Sequence, residues 1–507
     1  MLDLTAITAG GELLFSSIGP WLYVFPGIVI GLVFGAIPGL QISMAMAIFL
    51  PATLYMSFLE AMLFLTAIFT GGSFGSGIPA ILMNIPGTSS AIATAFDGYP
   101  MARKGEHNKA LGVALGASCF GVLFGYLILF MLIQPISGMV LKLGPSEMFF
   151  VILWGMTLIA SLKGDSMLKG LLSGMVGLLI GTIGFSEVGV ARGTLGNEYL
   201  LDGVPVIPAM MGMFAASELF KLVNTNYLVS DESARKVSIR EILSGVTHAF
   251  KHPKVMLRGS VIGVFVGAVP GVGSSVSNLL SYVETKRRDK NPESYGQGNP
   301  KGVVAAESAN STSEAGSMAT LLALGIPGGG ATAVMLAAFA MHNITGGPQF
   351  IREQTDIVYA IIIANFGQVL LLVALGLMFI PLLANVVKVP MTILIPSVLS
   401  MATFGSFGLT GNISGPVTVL VFSVVGWVFS RLSYSVPAAV IGILLGGMAE
   451  SNLLHTYQIS GGELSYVFER PITLLIIGLL MLSLFGSKIT GMLTKRAGNK
   501  ATEEAAS

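Results

Sequence analysis

Long apolar runs alternate with short polar interruptions along the whole chain. A membrane-crossing helix needs roughly 20 predominantly apolar residues, and the stretches 110–134, 357–386 and 471–487 satisfy that requirement. Backbone in hydrocarbon must satisfy its own hydrogen bonds, and uninterrupted apolar runs predict helices rather than a barrel of alternating strands. Counted this way, the chain holds about ten to twelve spans together with several shorter apolar pieces. The predicted fold class is an all-α integral membrane protein.

The shorter pieces are broken by Pro-Gly. Arg258 and Lys286 both belong to basic clusters, yet too few residues separate them for two crossings of roughly 20 residues each. A re-entrant hairpin turning at Pro270-Gly271 fits the length. Proline lacks the N–H that would continue a helix, and glycine permits the turn. The corresponding stretch in the first half runs from Gly31 to Pro51 and turns at Pro38-Gly39. Both breaks lie in one repeated phrase, Gly31-Leu-Val-Phe-Gly-Ala-Ile-Pro-Gly39 and Gly263-Val-Phe-Val-Gly-Ala-Val-Pro-Gly271, nearly half the chain apart. A second pair follows, Asn84-Ile-Pro-Gly87 and Gly325-Ile-Pro-Gly328. The predicted organisation is a first transmembrane repeat at 1–230, a cytoplasmic connection at 231–256, a second repeat at 257–487 and a cytoplasmic tail at 488–507. The repeats are inverted if each half holds an odd number of crossings.

Composition agrees: 53% of residues are hydrophobic and 10% are charged, too few charges to cover a soluble surface. Clusters around Arg103-Lys104, Arg235–Arg258, Lys286–Lys290 and Lys488–Lys500 predict cytoplasmic loops. Met1 to Glu12 has acids but no basic residue, unlike a cleaved signal peptide, so the first span is expected to be retained. Net charge is +1, and no basic stripe points to nucleic acid. Cys119 is the single cysteine and is expected to be a packed thiol. Gly31 with Gly35, and Gly112 with Gly116, have the spacing of close helix contacts. No P-loop is present, and no Cys/His cluster suggests a metal or other cofactor. Gly71-Gly-Ser-Phe-Gly75 matches the nucleophile-elbow pattern of serine hydrolases but ends an apolar helix without a partner pattern. No enzyme activity is expected.

Candidate chemistry concentrates at the breaks. Helices starting after Asn84, Pro86 and Gly87, at Thr88 and Ser89, and after Pro327, Gly328 and Gly329, would present free N–H groups and positive dipole ends to an anion. Asn310 could add an amide. Residues around Pro38, Gly39 and Ser43, and around Pro270, Gly271 and Ser274, are the cation candidates, because carbonyls freed by a helix break can coordinate Na⁺. Glu307, Asn310 and Glu314 share the polar run to Ser317, which reads either as an intramembrane site or as an interfacial loop with capping residues. Glu307 joins the cation set. Glu60 reads equally as a functional or a snorkelling carboxylate.

In order along the chain, Gly35-Ala-Ile-Pro-Gly-Leu-Gln41, Asn84-Ile-Pro-Gly-Thr88, Asp97-Gly-Tyr-Pro-Met-Ala102, Gly267-Ala-Val-Pro-Gly271, Glu307-Ser-Ala-Asn310 and Gly325-Ile-Pro-Gly328 resemble the large membrane subunit of the tripartite tricarboxylate transporters, the TctA-like family. The resemblance covers about Val24 to Leu484. It implies a secondary transporter in the bacterial inner membrane. The implied partners are a small four-span membrane subunit, a periplasmic solute-binding protein and the lipid bilayer, in a complex that could pair as a homodimer. The implied cargo is citrate or a related carboxylate, with Na⁺ as coupling ion, moved by alternating access of the hairpins. An ion or anion channel, a carboxylate carrier independent of a binding protein, and an intramembrane enzyme are the competing readings.

Overall fold

The computed structural model describes residues 3–37, 40–140, 142–162, 167–186, 189–217, 219, 237–270, 273–386, 391–463 and 465–484. The candidate residues Pro38, Gly39 and Gly271, and the whole of the segment 488–507, lie outside them.

The described chain is helical, apart from a short antiparallel pairing of Gly184–Phe185 with Ala191–Arg192. In order, the first helices are α1 (Leu4–Phe15), α2 (Gly19–Ala36), α3 (Ile42–Phe49), α4 (Phe58–Met83), α5 (Ile92–Arg103), α6 (His107–Val140), α7 (Pro145–Leu162), α8 (Met167–Gly181) and α9 (Val206–Met210). A π-helical turn, Met211–Ala216, follows α9. The chain continues with α10 (Ile239–Ala249), α11 (Pro253–Gly267), α12 (Gly273–Arg288), α13 (Pro300–Leu324), α14 (Gly330–Met341), α15 (Pro348–Glu353) and α16 (Thr355–Val386). The last helices are α17 (Met391–Thr410), α18 (Ser414–Arg431), α19 (Val436–Ser460), α20 (Ser465–Glu469) and α21 (Pro471–Leu484).

Six of these are long and apolar enough to cross a membrane: α2, α4, α6, α16, α18 and α19. The other apolar helices, among them α3, α8 and α14, are shorter, because proline and glycine interrupt the runs they come from. The apolar side chains Leu179, Phe265, Leu370 and Phe404 stay exposed on the outer helices. On a chain of this composition such surface faces lipid.

Two long helices, α4 and α13, lie in the interior. α4 is buried along its entire apolar window, and it starts at a capping box in which Ser57 N–H donates to Glu60 Oε2 at 2.8 Å while Ser57 Oγ accepts from Glu60 N–H at 3.4 Å. Glu60 is therefore a helix cap. α13 is far more polar yet equally buried, and it opens with Asn299 as N-cap and Pro300 in the first turn, a standard start. The run Glu307–Ser317 is thus continuous buried helix, not an interfacial loop.

Glycine sets the distance at which other helices approach these two. A Cβ on Gly31 or Gly35 of α2 would lie 2.3 Å from Ile68 O or 2.4 Å from Gly72 O of α4. A Cβ on Gly263 or Gly267 of α11 would lie 2.5 Å from Ala309 O or 2.4 Å from Ser313 O of α13. The repeated phrase therefore makes the same backbone-to-backbone contact twice. α11 and α12 pack together as a helical hairpin on α13. In the first half α2 is longer than the expected hairpin arm, beginning at Gly19 rather than near Gly31.

Candidate functional site

Helix ends are organised around the breaks. α4 terminates at Asn84, which adopts a left-handed conformation with φ 60°, and α13 terminates at Gly325 with φ 68°. Ile-Pro-Gly follows each, and the chain re-enters helix at the 3₁₀ turn Ser89–Ala91 leading into α5, and at Gly330 of α14. Small residues start these helices easily because little side chain has to be accommodated at the turn.

These starts converge on one cavity of about 300 Å³. Gln41, Ile42 and Ser43 open α3; Thr88, Ser89 and Ser90 precede α5; Gly273 and Ser274 open α12; Gly329 to Thr332 open α14; Ser435 to Pro437 open α19, and all of them line it. Phe69 of α4, Phe214 of the π turn and Ile441 of α19 add apolar surface, and Ser317 reaches in from α13. A π turn is a costly local geometry that recurs at functional sites.

Among the described residues no Asp, Glu, Lys, Arg or His lines this cavity. Its electrostatics come from hydroxyls and from five helix N-termini, whose first N–H groups have no intrahelical partner. Each helix terminus carries up to roughly half an elementary positive charge, so these starts favour a bound anion. Some of the polarity is internal: Thr88 and Ser90 hydroxyls share a hydrogen bond of 2.7 Å, and Gly329 N–H donates to Thr332 Oγ1 at 3.0 Å. α3 and α14 start side by side, since a Cβ on Gly330 would be 3.2 Å from Ser43 Oγ.

Of the residues singled out in the sequence, Ser43, Thr88, Ser89, Ser274 and Gly329 line the cavity. The cation and anion candidates therefore occupy one space. Gly87 lies behind the wall, its N–H donating to Ser76 O at 3.1 Å, and a Cβ there would run into Gly35 O. Pro327 and Gly328 are buried, the latter against Ser317. Asn84 and Pro86 lie on the α4 exit turn, with Asn84 exposed. Pro270 ends the α11 hairpin arm beside Gly155 of α7. Glu307 and Asn310 are fully buried outside the cavity wall. Glu307 accepts from Thr94 Oγ1 of α5 at 2.5 Å and from Ser118 Oγ of α6 at 3.0 Å. Ser73 lies within unbroken α4, which removes the strand-to-helix elbow a hydrolase needs. Among the described residues no group of three or more His, Cys, Asp or Glu is placed to hold a metal ion.

Two features escaped the sequence reading. The third wall, Ser430 to Pro437, joins α18 to α19, and its only sequence cue is a serine N-cap placed two residues before proline. The other is Asp97. Its Oδ1 accepts the backbone N–H groups of Gly296, Gly298 and Asn299, each at 2.8 Å, and its Oδ2 accepts Tyr282 OH at 2.9 Å. The Asp97-Gly-Tyr-Pro phrase thus fastens α5 to α12 and to the turn that leads into α13. Asp289 in the same loop is drawn down to about 2, first by the hydrogen bond from Lys301 Nζ at 2.7 Å and then by Tyr295 OH.

An all-α, multi-pass membrane protein with broken helices meeting at an uncharged cavity is the class these features define. Residues 21–441 match the tripartite tricarboxylate transporter TctA family, and the chain belongs to that family. It is a component of a tricarboxylate transporter that works with other subunits. Among curated relatives, the "Uncharacterized 52.8 kDa protein in TAR-I ttuC' 3'region" of Agrobacterium vitis is 32% identical over 464 residues, covering 90% of this chain and 91% of that protein. The "Uncharacterized protein in TAR-II ttuC' 3'region" of the same organism is 30% identical over 234 residues, 46% of this chain and 97% of that protein. No solved structure matches.

Proposed function

We propose that this chain is the large translocating subunit of a bacterial inner-membrane importer that carries citrate or a related tricarboxylate together with Na⁺. The carboxylate is delivered by a periplasmic binding protein, and a small four-span subunit completes the complex. The observation that carries this reading is the uncharged cavity ringed by five helix starts. Oriented N–H groups bind an anion without a competing buried counter-charge, and they release it when the helices move apart. A cation entering with the anion reduces the net charge that must cross. Thr88, Ser89, Gly329 and their backbone N–H groups serve the carboxylate; Ser43 and Ser274, at the starts of α3 and α12, serve a cation.

Access alternates when the hairpins carrying those starts move against α4 and α13, the two halves acting as related repeats. Proteoliposomes holding the complete complex test this directly. Labelled citrate is expected to accumulate against its gradient when an inward Na⁺ gradient and loaded binding protein are both present. Passive equilibration without either would establish a channel, and accumulation without the binding protein would establish an independent carrier.

A further inference from the structure

Helices α4 and α13 share a buried polar seam apart from the cavity. Asn310 and Glu314 lie one turn apart on one face of α13, and Thr70 and Ser73 lie one turn apart on α4. Two cross-helix bonds bracket the seam: Thr70 Oγ1 donates to Glu314 Oε2 at 2.9 Å, and Asn310 Nδ2 donates to Ser73 O at 3.3 Å. Glu314 and Asn310 are 0% exposed, and Thr70 and Ser73 are 1% exposed. Between the brackets, Asn310 Oδ1 has no hydrogen-bond partner, and Glu314 Oε1 and Ser73 Oγ make no hydrogen bond of good geometry, the Ser73 hydroxyl being the polar side chain set against the Glu314 carboxylate there.

Among the described residues nothing positive answers this carboxylate. Glu314 takes part in no ion pair among the described residues. The titratable group facing it from α6 is Tyr126, and Glu307 lies two turns away on its own helix. α11 presents Gly263, Val264 and Gly267 to α13. An ionised carboxylate in a dry interior needs a compensating charge, and unpaired buried acceptors are themselves costly. A proton on Oε1 would supply one donor, enough for one further acceptor. A monovalent metal cation takes only oxygen ligands, so the carboxylate, amide and hydroxyl oxygens of this seam suit it, and it neutralises the carboxylate at once.

We propose that Glu314, Asn310 and Ser73, with Thr70 holding the carboxylate, form a Na⁺ site separate from the cavity. It rests on the transport reading only for its coupling role. Ser317, one turn along α13 from Glu314, lines the cavity and packs against Gly328. An ion at Glu314 therefore fixes the α4–α13 contact directly beneath the α14 start. Occupancy by Na⁺ would be felt where the carboxylate binds.

The test uses the purified full-length protein without carboxylate or binding protein. NaCl is titrated against choline chloride at constant ionic strength, following thermal unfolding and ²²Na⁺ binding. The wild type is expected to bind Na⁺ saturably, with Glu314→Gln weakening that binding on the order of 100-fold through loss of the charge. Ser73→Ala, which alters no charge, is expected to weaken it severalfold and serves if Glu314→Gln does not fold. Gly138→Ala, where an added Cβ meets nothing within 4 Å, should leave this site unchanged. Unaltered Na⁺ affinity in both seam variants overturns the proposal. Stabilisation that follows pH instead of Na⁺ assigns the seam to a proton and also overturns it. Because no carboxylate is present, a failure of tricarboxylate uptake would leave the ion result standing.

Discussion

Gly329 offers a clean separation between folding and anion binding. It is the residue before α14, its backbone is extended at φ −172°, and a Cβ built there meets nothing within 4 Å. A Cβ can therefore be placed there without backbone strain or overlap, at a residue of the cavity wall. Asp and Asn are both good N-caps with nearly the same stability effect, so Gly329→Asp and Gly329→Asn should unfold at similar temperatures. Their charges differ by one. A carboxylate about 4 to 7 Å from a bound carboxylate, at an effective dielectric near 20, costs about 4 to 2.4 kcal/mol. Gly329→Asp should therefore bind citrate roughly 60-fold to 1000-fold more weakly than Gly329→Asn. The new carboxylate would also occupy the same N–H groups that otherwise face the ligand. Calorimetric titration of both purified variants, with thermal unfolding as the control, measures the difference. Equal affinities would refute the idea that the anion sits on these helix starts.

Three further outcomes follow from the packing and the loop. Gly35→Leu and Gly267→Leu force side chains into carbonyls 2.4 Å from the added Cβ, which should cost at least about 1–3 kcal/mol and abolish the monodisperse peak in size-exclusion chromatography. Gly138→Ala, where nothing lies within 4 Å, should behave as wild type. Asp97→Ala removes the acceptor of three backbone N–H groups, so at about 1–3 kcal/mol for each group left unpaired the 289–299 turn should become a fast proteolysis site; wild-type resistance would contradict the fastening role. The Asp289 carboxyl is depressed from 3.8 to about 2, mainly by Lys301, so the stability it adds is complete above its unfolded value and is lost as pH falls toward 2. Proteolysis of this loop by an acid protease should stay unchanged from pH 6 to pH 4 and rise below it, and Asp289→Asn should remove that rise.

How much was legible depended on whether a property is local. Pro86-Gly87, Pro327-Gly328 and Pro270 end helices through their own backbone chemistry, so the breaks and the small residues restarting the chain could be read directly. The roles of Glu307 and Asn310 could not, because a polar run on a buried helix and one in an interfacial loop have similar local patterns. Contact with Thr94, Ser118 and Ser73 from other helices makes the run part of the interior. Asp97 was opaque for the same reason, since its partners lie about 200 positions away in sequence.

By itself the sequence determined that this is a helical membrane protein interrupted at paired Pro-Gly breaks, since apolar length and the missing proline N–H are properties of the chain. Only the tertiary structure decided that five helix starts share one cavity, that the α18–α19 turn completes it, and that Glu314 is buried on α13 one turn from Ser317 in its wall. The reason is physical: which face of a helix meets which neighbour depends on how closely backbones approach. Here that distance is set by glycines such as Gly31, Gly35, Gly263 and Gly267 pressed against carbonyls far away in the sequence.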